Sequence, residues 1–342
     1  MKELFVRVDA NEIIATGHVM RCLAIADEAA RQGIKPVFIF SDDNGKAIVE
    51  SRGFETVVLD SVWNDLESET GKMLELIFLR KIQLLLVDSY YVTDRYLKIL
   101  SANTNVVYID DLGVITYPVW GIICYANYYE KFQYEQRFQG SETKFLLGCD
   151  YVPLRKEFYN LPAKQINESV RNLLLLSGGS DQFHVLMQML SVLCCFDDLE
   201  LDVICGRFNM DYDELISLYS KKNIHIHKSV DNLIYYMQKA DLALSAGGTT
   251  LYELCACGTP TITYSIADNQ IDNVIKFASD NLMPYLGDAR YENISEILPE
   301  KIKNLLNVNI RKEYSNNLRT LVDGRGTERL IDELQSILVS IK

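Results

Sequence analysis

Residues 13–33, IIATGHVMRCLAIADEAARQG, predict a glycine-containing turn that leads into a long helix. Four apolar side chains recur there at helical spacing: Val19, Leu23, Ala26 and Ala30. Gly33 suits the C-terminal end of this helix. Strand-like runs flank it on both sides, LFVRVD at 4–9 and PVFIFS at 36–41. A strand, a helix and a second strand in this order predict a parallel sheet covered by helices.

The same alternation continues in two series along the chain. The first series adds three strand candidates: LLLVDS at 84–89, NVVYID at 105–110 and GIICYA at 121–126. The second has five: NLLLLS at 172–177, LDVICG at 201–206, NIHIHK at 223–228, DLALSA at 241–246 and PTITYS at 260–265. We therefore expect an α/β fold of two Rossmann-like domains facing a cleft, at 1–150 and 171–310, joined by a linker at 151–170. Helices at 311–342 are expected to pack back toward the N-terminal domain.

The composition is that of a globular chain with an acidic surface. Its 342 residues are 48% hydrophobic and 24% charged, enough for more than one core, and the formal net charge is -13. Nucleic-acid and anionic-membrane surfaces need clustered Lys and Arg, so neither partner is expected. The start, MKELFVRVDA, lacks signal-peptide features, and no apolar run reaches about 18 residues. We expect a cytoplasmic protein without a membrane anchor, whose eight scattered cysteines are reduced.

Two glycine loops follow predicted strands of the second domain, where open parallel sheets bind ligands. SGGSDQF at 177–183 contains Gly178 and Gly179. SAGGTTLYELCACGTP at 245–260 holds a longer set: Gly247, Gly248, Thr249, Thr250 and Glu253. A helix N-terminus attracts phosphate, and glycines let the backbone approach it. Each Gly-Gly pair alone is equally typical of an ordinary strand-to-helix turn.

The longer loop suits a diphosphate better than a triphosphate. The chain has no G-x-x-x-x-G-K-[ST] sequence, which excludes a nucleotide triphosphatase loop of that kind. Glu253, one turn into the following helix, has a carboxylate that can accept hydrogen bonds from both vicinal ribose hydroxyls. The sequence therefore indicates a nucleoside diphosphate site in the second domain.

His18 stands where the turn of residues 13–17 meets the first helix. A histidine there either acts as a general base or caps the helix without a chemical role. Arg21 either supports a diphosphate or pairs with Asp9, which itself orients the turn or contacts the ligand. Asp110 and Asp111 are either paired carboxylates or turn caps, and the cap is favoured.

The other three histidines are not expected to bind a metal ion. His225 and His227 alternate along one strand face, but no third ligand stands at a suitable spacing. His184 is expected on a helix surface. We therefore expect neither a metal nor a cofactor.

Seven segments, taken together, resemble a known enzyme family. They are RVDANEIIATGHVMRCLAIADE, LLVDSYYV, YIDDLG, LGCDYVPLRKEF, LLLSGGSDQ, ADLALSAGGTTLYELCACGTPTITYSIADNQ and VDGRGTERL. In this order they span nearly the whole chain and resemble the UDP-2,4-diacetamido-2,4,6-trideoxy-β-L-altropyranose hydrolases of pseudaminic acid biosynthesis. That family is similar to the N-acetylglucosaminyltransferase of lipid II synthesis, so the resemblance implies the two-domain glycosyltransferase-B fold.

The resemblance also implies roles for residues of the first domain. It makes His18, which follows Gly17, the base that activates water against the anomeric carbon. Tyr90 matches a tyrosine that the family places near the reacting sugar, although Tyr91 stands beside it. The family usually has a glycine where this chain has Ala15.

In the second domain, the resemblance assigns UDP binding to the longer glycine loop, through Gly247, Gly248, Thr249 and Glu253. Asn269 and Gln270 would face the sugar or the diphosphate. UDP leaves readily as a diphosphate, so a helix N-terminus can replace the acid carboxylate that ordinary glycosidases need. Direct attack by water activated by one base implies inversion at C1.

Three functions fit these observations. The first is a metal-independent hydrolase that releases UDP and a free diacetamido-trideoxy-hexose. The second is a UDP-sugar-dependent glycosyltransferase that uses the same nucleotide site with an acceptor in place of water. The third is a nucleotide-sugar-binding protein without catalysis, which would not need His18. Release of UDP without an acceptor separates the first two.

Overall fold

The computed structural model describes residues 2–14, 16–230 and 232–339, and for residues 338 and 339 it describes the backbone alone. The chain forms two compact units. One unit runs from the N-terminus to Lys156 and takes the chain up again from Arg325 onwards, and the other is Glu157–Gly324. Each unit is built on a parallel sheet covered by helices, so the predicted fold class of two Rossmann-like α/β domains is confirmed.

Over the described residues, the first unit has a seven-stranded sheet in the order β3-β2-β1-β4-β5-β6-β7. Its strands are β1 (Glu3–Val8), β2 (Lys35–Phe40), β3 (Glu55–Val58), β4 (Leu84–Asp88), β5 (Asn105–Ile109), β6 (Gly121–Cys124) and β7 (Lys144–Leu147). All neighbouring pairs are parallel. The central strands are buried on both faces, as expected of a parallel sheet that lies between helices.

The second unit has a six-stranded sheet over the described residues, in the order β10-β9-β8-β11-β12-β13. Its strands are β8 (Asn172–Leu176), β9 (Glu200–Cys205), β10 (Ile224–Lys228), β11 (Leu242–Ala246), β12 (Thr261–Ser265) and β13 (Tyr285–Asp288). They too are parallel. In both sheets the strand order reverses beside the first strand of the unit, which is where open α/β sheets bind ligands.

Helices connect the strands and cover the sheets. They are α1 (Gly17–Arg31), α2 (Lys46–Glu50), α3 (Thr70–Arg80), α4 (Asp94–Ser101), α5 (Tyr134–Arg137), α6 (Val185–Leu193), α7 (Tyr212–Tyr219), α8 (Leu233–Lys239), α9 (Thr250–Cys257), α10 (Asp268–Ser279), α11 (Leu298–Leu305), α12 (Val308–Leu321) and α13 (Gly326–Val339). Helix α1 ends as predicted, because Gly33 adopts a left-handed φ of 78° directly after it.

The strands predicted from the sequence are all present, with bounds shifted by a residue or two. The strands that were missed are β3, β7 and β13, and each lies at an edge of its sheet. They are short, and none is fully buried: every residue of β3 is half-buried, and only part of β7 and of β13 is buried. A short strand that packs on one side only lacks the long apolar run by which the central strands were recognised.

The C-terminal helices are divided differently from the expectation for 311–342. Helix α12 belongs to the second unit and packs on α9, whereas α13 belongs to the first unit and packs on α1. The chain changes course at Gly324, which has a φ of 81° and whose Cβ would lie 2.2 Å from the carbonyl oxygen of Phe158. Residues 151–156, which were expected in the linker, belong to the first unit.

A buried ionic network fixes the centre of the first sheet. Arg7 on β1 is fully buried, and its Nε and Nη2 donate to the two carboxylate oxygens of Glu69 at 2.7 and 2.8 Å. Its Nη1 donates to Asp9 at 2.6 Å. Tyr96 and Ser61 donate to the same Glu69 carboxylate. Because each charged group has partners, the network is stable once formed and costly to break.

Replacing Glu69 by Ala removes the acceptor of four of these hydrogen bonds and leaves the guanidinium of Arg7 buried with one partner carboxylate. We expect a loss of about 3–5 kcal/mol in the free energy of unfolding. Urea denaturation followed by tryptophan fluorescence measures it, since both tryptophans, Trp63 and Trp120, lie in the first unit. Glu67→Ala, in the same turn but at a partly exposed pair, should cost less than about 1 kcal/mol. Equal losses in the two variants would contradict this account.

Candidate functional site

A polar cluster lies at the carboxyl edge of the first sheet. Helix α1 begins at Gly17, so His18 and Arg21 project from its first turns. Strands β1, β4, β5 and β6 are neighbours in the sheet, and their carboxyl ends therefore lie along one edge. Asp88 ends β4, Asp111 follows β5 and Tyr125 follows β6.

His18 and Asp88 form a buried hydrogen-bonded pair. Nδ1 of His18 lies 2.6 Å from Oδ1 of Asp88, and the histidine is only 6% exposed. Burial disfavours the ionised form of Asp88, but the charge of Arg21 and the hydrogen bonds from Arg21 and His18 outweigh it and hold the pKa of this carboxyl well below its usual range. An ionised carboxylate only accepts hydrogen bonds, so Nδ1 carries the proton. Both hydrogen-bond contacts of His18 in the described part of the chain are made by Nδ1, and none is made by Nε2.

The guanidinium of Arg21 binds the same carboxylate. Its Nε donates to Oδ2 of Asp88 at 2.6 Å and its Nη2 to Oδ1 at 2.5 Å. Its Nη1 donates to Asp111 and to the hydroxyl of Tyr125, both at 2.7 Å. Nη2 also lies 3.1 Å from Nδ1 of His18. These bonds use four of the five N–H donors of Arg21 within the protein.

Of the two alternatives for Arg21, the pairing with Asp9 is not found, because both residues have other partners. Oδ1 of Asp9 accepts hydrogen bonds from the backbone amide and the hydroxyl of Ser41, each at 2.8 Å. Its Oδ2 accepts from Arg7. Asp9 is therefore a buried link between β1 and the loop after β2, and all of these bonds run to the protein itself.

Tyr90 adjoins the imidazole of His18. The two ring centroids are 4.5 Å apart and meet edge to face. Tyr91 instead packs on Trp63 and is 39% exposed. Of the two tyrosines considered from the sequence, Tyr90 is thus the one beside His18. Ala15, the departure from the family pattern, lies outside the described residues.

Two other expectations for the first unit can be compared with the structure. Asp110 caps the turn after β5, since its Oδ1 accepts from the amides of Leu112 and Gly113 at 3.0 and 2.7 Å, so that prediction is confirmed. Asp111 does not share this role, because it binds Arg21. Gly17 has open space where a Cβ would stand, so the packing of the protein does not itself require glycine there.

The predicted nucleotide loops of the second unit share one edge of its sheet. Gly178 and Gly179 follow β8, Gly247 and Gly248 follow β11, and Asn269 and Gln270 lie in the first turn of the helix after β12. Strand β11 pairs with both β8 and β12. The three loops therefore emerge side by side at carboxyl ends of parallel strands.

Contacts with α10 fix the loop after β11. Asn273 donates from Nδ2 to the carbonyl of Gly247 at 3.0 Å and accepts from the hydroxyl of Tyr252 at 2.8 Å. A Cβ on Gly247 would lie 2.4 Å from Cγ1 of Val274, whereas one on Gly248 would find its nearest neighbour, Nε2 of Gln270, at 4.0 Å. Gly247 thus serves packing, and Gly248 leaves space in front of the helix.

The threonine at the N-cap of α9 does not cap the helix through its side chain. Thr249 occupies the N-cap position but has helical φ and ψ of -60° and -22°, so its side chain makes no capping hydrogen bond. A capping side chain needs an extended backbone at that residue. Thr250 opens the helix, and Glu253 lies one turn in and is half-buried.

The remaining loop residues divide between structure and surface. Oε1 of Gln270 accepts from the amide of Ile266 at 3.0 Å, and Asn269 is exposed. Gly178 has a φ of 81°. A Cβ on Gly206, after β9, would lie 2.2 and 2.3 Å from the carbonyl oxygens of Gly178 and Gly179, so Gly206 lets the two loops pack together.

The three other histidines pair with carboxylates. His184 has a left-handed φ at the N-cap of α6, and its Nδ1 lies 2.6 Å from Asp211. His225 and His227 lie on the edge strand β10, each beside one carboxylate of β9, at 3.1 and 3.3 Å.

Sequence reasoning missed four residues of these clusters: Asp88, Tyr125, Gly206 and Asn273. Asp88 carried a usable signal, because it ends an apolar run on the strand next to β1. Asn273 carried a weaker one, as a polar residue one turn after Gln270 on a helix that faces the glycine loop. Nothing in the sequence near Tyr125 or Gly206 distinguishes them from other strand ends.

Comparison with known proteins supports the fold of the chain and shows that the second unit is similar to a glycosyltransferase domain. Residues 173–324 match the model of the glycosyltransferase family 28 C-terminal domain. Among solved structures, Acinetobacter baumannii MurG has a TM-score of 0.72 at 14% identity, covering 98% of this chain and 100% of that one. The glycotransferase of kitacinnamycin has a TM-score of 0.70 at 14% identity, covering 98% of each chain. The chain has the glycosyltransferase-B fold.

Sequence relatives are more distant and partial. An uncharacterized protein of Methanocaldococcus jannaschii, MJ1062, is 24% identical over 267 residues, 74% of this chain and 54% of that protein. The spore coat polysaccharide biosynthesis protein SpsG of Bacillus subtilis is 23% identical over 200 residues, 57% of this chain and 59% of that protein. The chain thus spans little more than half the length of these relatives.

In the part of this glycosyltransferase-B chain that the structure describes, no helix has both the length and the apolar character to span a membrane.

The two glycines after β11 allow a matched test of nucleotide binding. Gly248→Ala should leave thermal stability unchanged, because a Cβ there meets open space, and yet raise the dissociation constant for UDP about tenfold or more by blocking a phosphate. Gly247→Ala should cost about 1–3 kcal/mol of stability through its contact with Val274. Thermal denaturation and calorimetric titration with UDP measure both effects. Unchanged UDP binding in Gly248→Ala would contradict a phosphate site at this loop.

Proposed function

We propose that this protein hydrolyses a UDP-linked diacetamido-trideoxy-hexose, the altropyranose, to UDP and the free sugar. The observation that carries the proposal is the hydrogen bond between His18 and the ionised carboxylate of Asp88. It directs the proton to Nδ1 and leaves Nε2 as a base, which is the arrangement of a histidine that activates water. The role of His18 and the choice of sugar come from the resemblance to the hydrolase family.

The reaction replaces the bond between C1 and the diphosphate oxygen by a bond between C1 and a water oxygen, and one proton passes from water to His18. A water molecule forms a bond from its oxygen to C1 of the sugar while Nε2 of His18 takes its proton. The bond between C1 and the diphosphate oxygen breaks, and UDP leaves with the electron pair. A single displacement of this kind inverts the configuration at C1, and a diphosphate needs no protonation to leave.

The second unit is proposed to bind UDP. Its match to the glycosyltransferase family 28 C-terminal domain and the shared edge of its loops support this role. The diphosphate would lie at the glycine loops and at the N-terminus of α9, where amides and the helix dipole stabilise negative charge. Glu253 would accept hydrogen bonds from the ribose hydroxyls, and Thr249, Thr250, Asn269 and Gln270 would contact the diphosphate or the sugar.

Tyr90 is proposed to assist His18 from the side of the sugar. Its ring packs edge-on against the imidazole, which restricts rotation of the base about its side-chain bonds. Its position beside the imidazole of His18 agrees with the family tyrosine that lies near the sugar. Arg21, by contrast, has its hydrogen bonds committed to Asp88, Asp111 and Tyr125, so we do not assign it to the diphosphate.

A second candidate function is glycosyl transfer with the same nucleotide site. It is favoured by the names of several similar proteins, among them a Helicobacter acinonychis N-acetylglucosamine transferase that is 32% identical over 143 residues. In that case His18 would deprotonate an acceptor hydroxyl instead of water. The two functions share their binding residues and differ in whether turnover requires an acceptor.

Release of UDP without an acceptor, in the presence of a chelator, tests the proposal. Wild-type protein should turn over UDP-2,4-diacetamido-2,4,6-trideoxy-β-L-altrose, and His18→Ala should lower kcat by about 10²-fold or more while UDP affinity is nearly unchanged. His225→Ala, a surface histidine paired with Glu200, is the matched control and should behave as wild type.

Two results would contradict the proposal. Normal turnover by His18→Ala would show that another group is the base. Bound UDP without any release from the substrate would favour the transferase, and addition of acceptor sugars or lipids would then restore turnover.

A further inference from the structure

We propose that Arg21 is a positioning residue, which holds Asp88 against His18 and thereby determines which imidazole nitrogen carries the proton. The inference rests on the role of His18 as the base. It removes Arg21 from the set of diphosphate ligands and gives it a part in the reaction without contact with the substrate.

The position of Arg21 follows from the sheet order. One guanidinium bonds to groups at the carboxyl ends of three consecutive strands: Asp88 at the end of β4, Asp111 after β5 and Tyr125 after β6. Its side chain is only 9% exposed. Because these anchors come from rigid central strands, Arg21 cannot shift without breaking several hydrogen bonds at once.

The pairing of Arg21 with Asp88 is bidentate. Nε and Nη2 bind the two carboxylate oxygens separately, so they fix the plane of the carboxylate as well as its place. Oδ1, which Arg21 orients in this way, is also the oxygen that accepts from Nδ1 of His18. A lysine in place of Arg21 would supply charge without this planar geometry.

Arg21 also prevents the other tautomer of His18, in which the proton lies on Nε2. Nη2 of Arg21 and Nδ1 of His18 are 3.1 Å apart, and both bond to Oδ1 of Asp88. If Asp88 were displaced or protonated, Nδ1 would lose its acceptor and the proton of the neutral imidazole could move to Nε2. The nitrogen that takes the proton of water would then be occupied, and the base would be lost.

The charge of Arg21 also keeps Asp88 ionised, which is the form that accepts a hydrogen bond from Nδ1 of His18. The titratable or charged groups that act on Asp88 or are affected by its charge are His18, Arg21 and Cys22 of α1, with Tyr108 and Tyr125 from the neighbouring strands. Asp111 is linked to this cluster through its hydrogen bond with Arg21. Burial raises the pKa of Asp88, and Arg21 gives the largest opposing effect. Without Arg21 the pKa of Asp88 would rise, so the carboxyl would become protonated, and activity would be lost, at a higher pH than in the wild type.

The test combines kinetics with the imidazole tautomer. Arg21→Met should lower kcat about 10- to 100-fold with KM nearly unchanged, because the arginine acts on the base and not on substrate binding. Nitrogen-15 NMR of histidine-labelled protein, without substrate, should show the proton of His18 on Nδ1 in the wild type and on Nε2 in a substantial fraction of Arg21→Met. The chain has four histidines, and His18→Ala identifies the signal.

Three further variants sharpen the test. Arg31→Met is the matched control, since Arg31 ends the same helix, is 44% exposed and pairs with Glu28 and Glu328, and it should leave kcat and the tautomer unchanged. The lysine of Arg21→Lys should orient the carboxylate of Asp88 less well, so that kcat is intermediate. The acidic limb of the pH profile of this variant should lie at higher pH than in the wild type. Millimolar methylguanidinium should restore part of the kcat of Arg21→Ala, and equal sodium chloride should not.

The outcomes separate this inference from the proposed function. An unchanged tautomer in folded Arg21→Met, or a raised KM with wild-type kcat, would overturn the positioning role. If Arg21→Met does not fold, Arg21→Lys decides, and wild-type kcat with an unshifted pH profile would overturn it. Failure of the proposed function appears instead as normal turnover by His18→Ala, whereas the tautomer measurement does not depend on turnover.

Discussion

The carboxylate of Asp88 accepts hydrogen bonds from both His18 and Arg21, and the polar edge of the first sheet depends on this shared acceptor. The carboxylate is buried at the end of a central strand, where an ionised group is stable only with opposite charges and donors around it. Arg21 supplies the charge and, through Asp111, ties the group to the next strand. The orientation of the imidazole is therefore a consequence of how the sheet is ordered.

Three apolar runs of the first unit end in an aspartate, and the sequence alone does not distinguish their roles. Asp9 is bound by Arg7 from within its own strand, Asp88 is bound by His18, and Asp110 caps a turn. Each role depends on which residues the neighbouring strands and helices bring to that end. His18 could be found from its own position after a glycine, but its partner could be found only once the order of the strands was known.

The central strands of each unit could be predicted from the sequence, whereas three edge strands could not, and the reason is physical. Central strands are buried on both faces and appear as continuous apolar runs, whereas β3, β7 and β13 are short, partly exposed edges. Likewise, Gly247 and Gly248 look equivalent in the sequence, yet only the first is packed against Val274. Such differences arise from contacts between distant segments, which a local pattern does not contain.

The central claim, that water attacks C1 of a UDP-linked sugar, is tested most directly by turnover in water enriched in oxygen-18. The altrose-linked substrate is incubated without an acceptor, the reaction is quenched early, and both products are analysed by mass spectrometry. The account predicts one oxygen-18 atom in the sugar and none in UDP, because the bond that breaks joins C1 to the diphosphate oxygen. Oxygen-18 in UDP would show attack at phosphorus and would contradict the role assigned to His18.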